Sequence, residues 1–435
     1  MTKAEIKAAM RLKPIAILGL GTAGRGVRAL AERLGVSSTC FDESDIEGVR
    51  QDFTIADARQ HSVVVVSPGF NPNHPWVICA QSAGVEVMGE LDFGALFLNR
   101  PVYAVTGTNG KTVTGRFITH TLESLGQNVA LLGNTGISLC GWLSQNLENE
   151  PTTKLILEIS SYQAHLLKYL PIEGLIWTNF SETHLDYHGS PREYFLAKWN
   201  LFRLLTSPLA IVGQSVFEAA NRFGCVLPDF LKVVPGSPNS PYDALPQGTV
   251  FDESPFAEDF RLCATFGDLT GIPFVIWHQT AASFILPRYR MSRIAQVDGV
   301  SFYNDAKSSN TASTLAGLAR FNMPVLWIGG LDAPLKELES FVSEIAPKIR
   351  VAYLVGRAGG MLATQLRHRG IECSYFESIE DAFTQLCRDM EAGDKVVFSP
   401  GFPPVGRFET FAGRGNFFEK MVLELQSSHH EHRKV

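Results

Sequence analysis

Val102-Tyr103-Ala104-Val105-Thr106-Gly107-Thr108-Asn109-Gly110-Lys111-Thr112 is the stretch on which the fold turns. Apolar strand-forming residues give way to two glycines and a Lys-Thr pair, and Thr112 to Leu125 then reads as a helix. A glycine turn between strand and helix lets backbone N–H groups surround phosphate oxygens. Lys111 can neutralise β/γ charge there, and the Thr112 hydroxyl can ligate Mg²⁺. The spacing falls short of the full GxxxxGK[ST] pattern, because Val105 stands where its first glycine belongs. GxxGKT at such a junction still favours a phosphate site over a chance turn.

Upstream, the first hundred residues repeat the strand–turn–helix layout. Ile15–Leu18 runs into Gly19-Leu20-Gly21-Thr22-Ala23-Gly24, with a helix expected from Arg25 to Leu34 and an acid, Asp42, about twenty residues on. Such a turn serves a dinucleotide, a nucleotide sugar or plain structure equally well. Strands are expected near Thr39–Phe41, at Val63–Val66 and at Val85–Met88. Strands alternating with helices imply parallel sheets covered on both faces.

Downstream, Leu155–Glu158 and Leu175–Thr178 read as further strands. Glu158 at a strand's carboxyl end is a candidate metal ligand, His184 sits at a similar edge, and Lys198 lies on a helix among aromatics. Pro235 to Pro255 reads as loop, and from about Pro287 a third α/β unit has strands at Val325–Ile328, Val351–Val355 and Lys395–Phe398.

With 38 Lys+Arg against 44 Asp+Glu the net charge is −6, which offers no general attraction to nucleic acid or anionic membrane. Seven scattered cysteines, never spaced CxxC, point to reduced thiols. No apolar run is long enough to span a bilayer and no signal-peptide core is seen, so a cytoplasmic protein is expected. The His429, His430 and His432 tail reads as a frayed polar end.

Taken together these motifs resemble the Mur ligases, the ATP-dependent amide-bond-forming enzymes of peptidoglycan precursor synthesis. The likeness spans Ser67-Pro68-Gly69, the GTNGKT loop, Gly133–Gly136, Glu158–Gln163, Asn179 to Lys198, Arg290, Asn304–Asn310 and Ser399 through Gly415. It implies an α/β fold of three domains. These are a Rossmann-like domain over 1–98, a central P-loop ATPase-like, mainly parallel-sheet domain over 99–286 and a Rossmann-like C-terminal domain over 287–435.

The resemblance also implies roles. Gly107, Thr108, Asn109, Gly110, Lys111 and Thr112 would hold ATP, with Arg290 on the triphosphate and Asp305 on the ribose. Thr112 and Glu158 would ligate one Mg²⁺; His184 and a carbamylated Lys198 would ligate a second. Lys307 would meet the phosphate and acyl intermediate. Gly21, Thr22, Asp42, Gly69, Asn134, Ser160 and Gln163 would hold UDP-N-acetylmuramoyl-L-alanine. Ser309 and Arg407 would hold the incoming amino acid, D-glutamate first. A monomer is expected.

Departures from the family pattern cluster at the third substrate and the adenine. Tyr289 and Ser292 replace the usual His and Glu around Arg290, and Pro255 to Asp259 replaces His-Asn-x-x-Asn. Ala333 stands near the place of a glutamate-binding lysine, with Lys336 three residues on, and Pro404 replaces a serine. They keep open a ligase for L-glutamate or another amino acid, and a silent nucleotide-binding relative. An oxidoreductase built on the Gly19–Gly24 turn would leave GTNGKT, Glu158 and His184 unexplained.

Overall fold

A strand that is apolar at every position must be covered on both faces, which is the situation inside a parallel sheet flanked by helices. The computed structural model describes residues 1–134, 136–146, 152–235, 244–252, 256–319, 321, 323–330, 338–404 and 407–432. Among them β1 (Ile15–Leu18) and β3 (Val63–Val66) are buried at all four positions. Together with β2 (Ser38–Phe41) and β4 (Glu86–Gly89) they form a parallel sheet in the order β2-β1-β3-β4. A helix that the sequence reading does not anticipate, Lys3–Met10, precedes β1. It is started by a Thr2–Glu5 capping box.

The second sheet contains β5 (Val102–Thr106), β6 (Val129–Gly133), β7 (Lys154–Glu158), β8 (Ile172–Trp177), β9 (Ala210–Gly213) and β10 (Lys232–Val234). All are parallel, in the order β10-β9-β8-β5-β7-β6. The chain works to one side of β5 for β6 and β7, then crosses to the other side at β8. The carboxyl end of β5 is therefore a switch point, where open α/β sheets bind ligands. One core cluster runs through both sheets, from Ile15 and Val63 to Leu132, Leu155 and Leu175.

These two sheets lie in one compact unit, Met1–Pro246 with Glu258–Ser283; a second unit comprises Gln247–Ala257 and Phe284–Val435. The second unit carries β11 (Ser292–Val297), β12 (Val300–Asn304), β13 (Val325–Gly329), β14 (Ile349–Val355), β15 (Glu372–Phe376) and β16 (Lys395–Phe398). Its order is β11-β12-β16-β13-β14-β15, parallel except for the β11–β12 hairpin. The hairpin turns at Asp298-Gly299, both with positive φ, which is the chemistry that suits the twist of a two-residue turn. That Asp-Gly pair is the signal by which the sequence could have disclosed it.

The expected strands are present, most within a residue or two. The tail expected to fray is helical as far as His432. Part of the expected Pro235–Pro255 loop, together with Ala333 and Lys336, lies outside the described residues. All seven cysteines are free. No helix among the described residues is long and apolar enough to cross a membrane.

Candidate active site

The turn after β5 is shaped by a close approach. Gly110 has φ +80° and caps the helix Lys111–Ser124; a Cβ there would lie 2.3 Å from Asp259 Oδ1. Asn179, just past β8, holds the turn from outside. Its carbonyl accepts from Thr108 N at 3.0 Å and its side-chain oxygen from Asn109 N at 2.9 Å. Lys111 Nζ donates to the carbonyls of Gly107 (2.8 Å) and Thr108 (2.9 Å).

Thr112 follows at the helix start, and its hydroxyl donates to Glu158 Oε2 at 2.7 Å. Asn134 Nδ2 donates to Glu158 Oε1 at 3.0 Å, so both carboxylate oxygens are held and the side chain is buried. Lys198 arrives from the helix Pro191–Trp199. That helix is pinned to the sheet by Phe195 packing on Trp177 and Val212. Lys198 Nζ donates to Thr106 Oγ1 (3.2 Å) and to Gly107 O (3.0 Å), the carbonyl that Lys111 also uses. Complete burial, and then the nearby Lys111 charge, hold its pKa well below the usual lysine value, with Glu158 acting in the opposite direction.

His184 is exposed, has a positive φ of 57° and caps the short helix Leu185–His188. Its ring packs on Tyr162 at 5.1 Å and near Tyr194 at 6.0 Å; Tyr194 in turn lies under Lys198 Nζ at 5.2 Å. Tyr194 is one of the aromatics beside Lys198 to which the sequence reading gave no role. It is buried, and its hydroxyl meets Thr108 Oγ1 at 3.1 Å, yet nothing in its sequence neighbourhood marks it. Asp259, buried and accepting from Thr114 Oγ1 at 3.2 Å, was seen only as a departure from a pattern.

The Gly19–Gly24 turn lines a cavity of about 340 Å³ with Thr22, Ser67, Gly69, Phe70 and His74. A Cβ on Gly24 would sit 1.8 Å from Gly19 O, so only glycine fits. Asp42 braces this turn. Its Oδ2 accepts from Leu20 N at 2.6 Å and its Oδ1 from Ser44 N at 2.9 Å. Burial pushes its carboxyl up, but those two N–H groups outweigh burial and hold it below the usual carboxylate range. Glu43 is the acid that lines the cavity, and it pairs with His74 at 3.2 Å. Ser160 and Gln163 face each other in a capping box, Gln163 Oε1 accepting from Ser160 N at 2.9 Å.

In the second unit, Arg290 stands between Tyr289 and Met291, both at positive φ. Asp305 accepts from Met291 N at 3.1 Å and from the Ser399 hydroxyl at 2.7 Å. Lys307 Nζ lies over the Phe411 ring at 5.1 Å, with Ser309 two residues on and half-buried. The organiser of this loop, to which sequence analysis gave no role, is Arg414. It has no exposed surface and donates to the carbonyls of Ala306, Ser308 and Phe402 at 2.9–3.0 Å. Burial brings its pKa down to about 10, with Asp305 opposing. Arg407 is exposed, pairs with Glu380 and lies 4.5 Å over the Phe417 ring.

The donor set fits a hard divalent cation at Thr112 and Glu158, where a hydroxyl and a carboxylate lie 2.7 Å apart. No group of three or more His, Cys, Asp or Glu able to hold a metal occurs among the described residues. A hydroxyl–carboxylate pair of this kind is compatible with Mg²⁺, which keeps waters and takes phosphate oxygens as its remaining ligands. Lys198 as an amine does not suit such an ion.

A parallel-sheet switch point with a glycine turn, two lysines and a hydroxyl–carboxylate pair defines a protein of the nucleotide-phosphate-binding α/β class. Residues 105–220 match the Mur ligase middle domain. The chain is 27% identical over 466 residues to a UDP-N-acetylmuramoylalanine–D-glutamate ligase of Acetivibrio thermocellus, covering 97% of this chain and 99% of that one. It is 28% identical over 449 residues to the ligase of the same name from Desulfotalea psychrophila, covering 94% and 96%. Among solved structures, the UDP-N-acetylmuramate–alanine ligase of Thermotoga maritima shares the fold at a TM-score of 0.58 and 15% identity, covering 94% and 99%. The MurF ligase of the same organism, in complex with ADP, shares it at 0.57 and 15% identity, covering 97% and 96%. Over its middle part the chain is similar to the Mur ligase family model, and over nearly its whole length to ligases of that family.

Proposed function

We propose that the chain is an ATP-dependent ligase that joins an amino acid, D-glutamate, to UDP-N-acetylmuramoyl-L-alanine in peptidoglycan precursor synthesis. The observation that carries this reading is the convergence of Lys111, Lys198, Thr112 and Glu158 on the carboxyl end of β5 and its neighbour β7. Full-length likeness to ligases of that name supports it.

In this reading the substrate carboxylate attacks the γ-phosphorus of ATP, the β,γ P–O bond breaks, and an acyl phosphate and ADP result. The amino group then attacks the acyl carbon, phosphate leaves, and the nitrogen gives up a proton to form the amide. A carboxylate and a triphosphate repel one another, so concentrated positive charge is the main requirement. Lys111 supplies it at the turn, while Asn179 and Tyr194 hold the turn's shape. Mg²⁺ held at Thr112 and Glu158 would supply Lewis-acid neutralisation of the phosphate oxygens. Burial favours the uncharged form of Lys198, the form that adds to CO₂ with loss of a proton; a carbamate there would present anionic oxygens to a second ion. The Gly19–Gly24 cavity would take the uridine diphosphate, and Arg290, Asp305, Lys307 and Ser309 the remaining contacts assigned above.

The same reading places the protein in the cytoplasm as a monomer, without nucleic-acid or membrane partners. It divides the chain into a Rossmann-like domain over 1–98, an ATPase-like domain over 99–286 and a Rossmann-like domain over 287–435. A second reading keeps the chemistry but changes the amino acid. It is favoured by Arg407, whose guanidinium is already paired with Glu380.

The test is to supply UDP-N-acetylmuramoyl-L-alanine, ATP, Mg²⁺ and each candidate amino acid, and to follow phosphate release and product mass. D-Glutamate-dependent phosphate release with the matching mass is the expected result. Dependence on another amino acid selects the second reading, and no turnover with any of them overturns both.

A further inference from the structure

We propose a second ligand site, for a small amphipathic carboxylate, beneath the N-terminal helix. A cavity of about 360 Å³ opens between Lys3–Met10 and the segment joining the helix Thr22–Arg33 to β2. Pro14 and Ser37, the residues just before β1 and β2, line it. It therefore lies at the amino ends of the first sheet's strands. The Gly19–Gly24 cavity lies at their carboxyl ends, so the two are distinct.

Three cations line the cavity, Lys7, Arg11 and Lys13, and no acidic residue does. Among the described residues none of the three is in an ion pair: Lys7 Nζ lies 5.0 Å over the Phe97 ring and Lys13 Nζ donates to Arg59 O at 3.2 Å. In a chain of net charge −6 this is a local reversal of sign, and three like charges around one cavity repel one another until an anion enters. The walls are not those of a bare anion patch. Met10 is buried in the floor, Leu34 and Phe97 are half-buried, and Leu12 stands in the mouth 85% exposed. The volume is at the small end of ligand-sized cavities. A cationic rim over an apolar wall matches a molecule with one carboxylate and a short apolar body.

The test is calorimetric titration of the full chain with octanoate, octanol and inorganic phosphate. Octanoate is expected to bind at one saturable site, with octanol and phosphate each at least tenfold weaker, since one lacks the charge and the other the apolar body. Hexanoate should bind about fifteenfold more weakly than octanoate, from roughly fourfold for each of two buried methylenes. Lys7→Glu/Arg11→Glu should lose at least tenfold in octanoate affinity. The milder Lys7→Gln/Arg11→Gln should fall in between, and both should unfold at the wild-type temperature when no ligand is present. Phosphate binding as tightly as octanoate, octanol doing so, an unchanged double variant, or no saturation at all would each overturn the proposal.

Discussion

Two glycine turns in the first unit have the same layout, strand then turn then helix, but differ in the charges around them; in the first, Arg25 donates to Leu20 O at 2.8 Å without lining the cavity. Around Gly19–Gly24 no lysine or arginine lines the cavity, and the backbone is braced by an acid, Asp42, on Leu20 N. Around Gly107–Gly110 two lysines share one carbonyl, and a buried carboxylate waits one strand away. Glycine spacing thus specifies how closely a backbone lets a ligand approach. The neighbouring charges specify whether that ligand is only held or has a group transferred.

The contrast breaks most visibly at Lys111. Lys111→Ala should cut amino-acid-dependent phosphate release by about 10³-fold, the usual size for removing a preorganised stabiliser of transferring charge. Its stability by urea unfolding should stay within about 1 kcal/mol of wild type. Activity near wild type would erase the distinction between the two turns. Gly24→Ala sharpens it from the other side. A methyl 1.8 Å from Gly19 O must displace backbone, so about 3 kcal/mol of stability should be lost in urea unfolding, and with it the cavity proposed for the nucleotide sugar.

The smallest effect lies at the seam between the two sheets. Glu90, at the start of the helix Glu90–Phe97, accepts from Cys140 N at 2.6 Å at the start of the helix Leu139–Gln145. Its other oxygen is buried without a partner, and burial pushes its carboxyl up to about 7, against the Cys140 and Leu139 N–H groups. Folded, it keeps its proton up to about pH 7, whereas unfolded it loses it near 4.5. Stability is therefore drained as pH rises from 4.5 to 7 and the loss is complete above that. Glu90→Gln should flatten this slope; of the roughly 3 kcal/mol the shift is worth, about 2 kcal/mol should be gained at pH 8, the rest being offset by the buried amide's unpaired N–H groups, as measured by urea unfolding across pH.

Several central strands were legible because burial on both faces leaves a plain mark, as in Val63–Val66 and Val102–Val105, although the equally buried β9, at Ala210–Gly213, was not singled out. The edge strands β2 and β4 were found, but β10, at Lys232–Val234, and β15, at Glu372–Phe376, were not; they are only partly buried and carry mixed residues. The helix Lys3–Met10 escaped because its apolar face is just Ile6 and Met10. At the candidate site, Lys111, Thr112 and Glu158 were found from position relative to strands, and the structure brings them together. Tyr194 and Arg414 were missed because their importance arises from contacts far along the chain, with Thr108 and with Ala306 and Phe402. Ser160 and Gln163, expected from the resemblance as ligand contacts, cap a helix with each other.

Arg414 has one more consequence. A guanidinium sealed from water and moored to three main-chain oxygens is beyond the reach of dissolved ions. An anion arriving at the Lys307 segment would therefore meet a permanent attraction from below, one that rising ionic strength dims far less than it dims an exposed lysine.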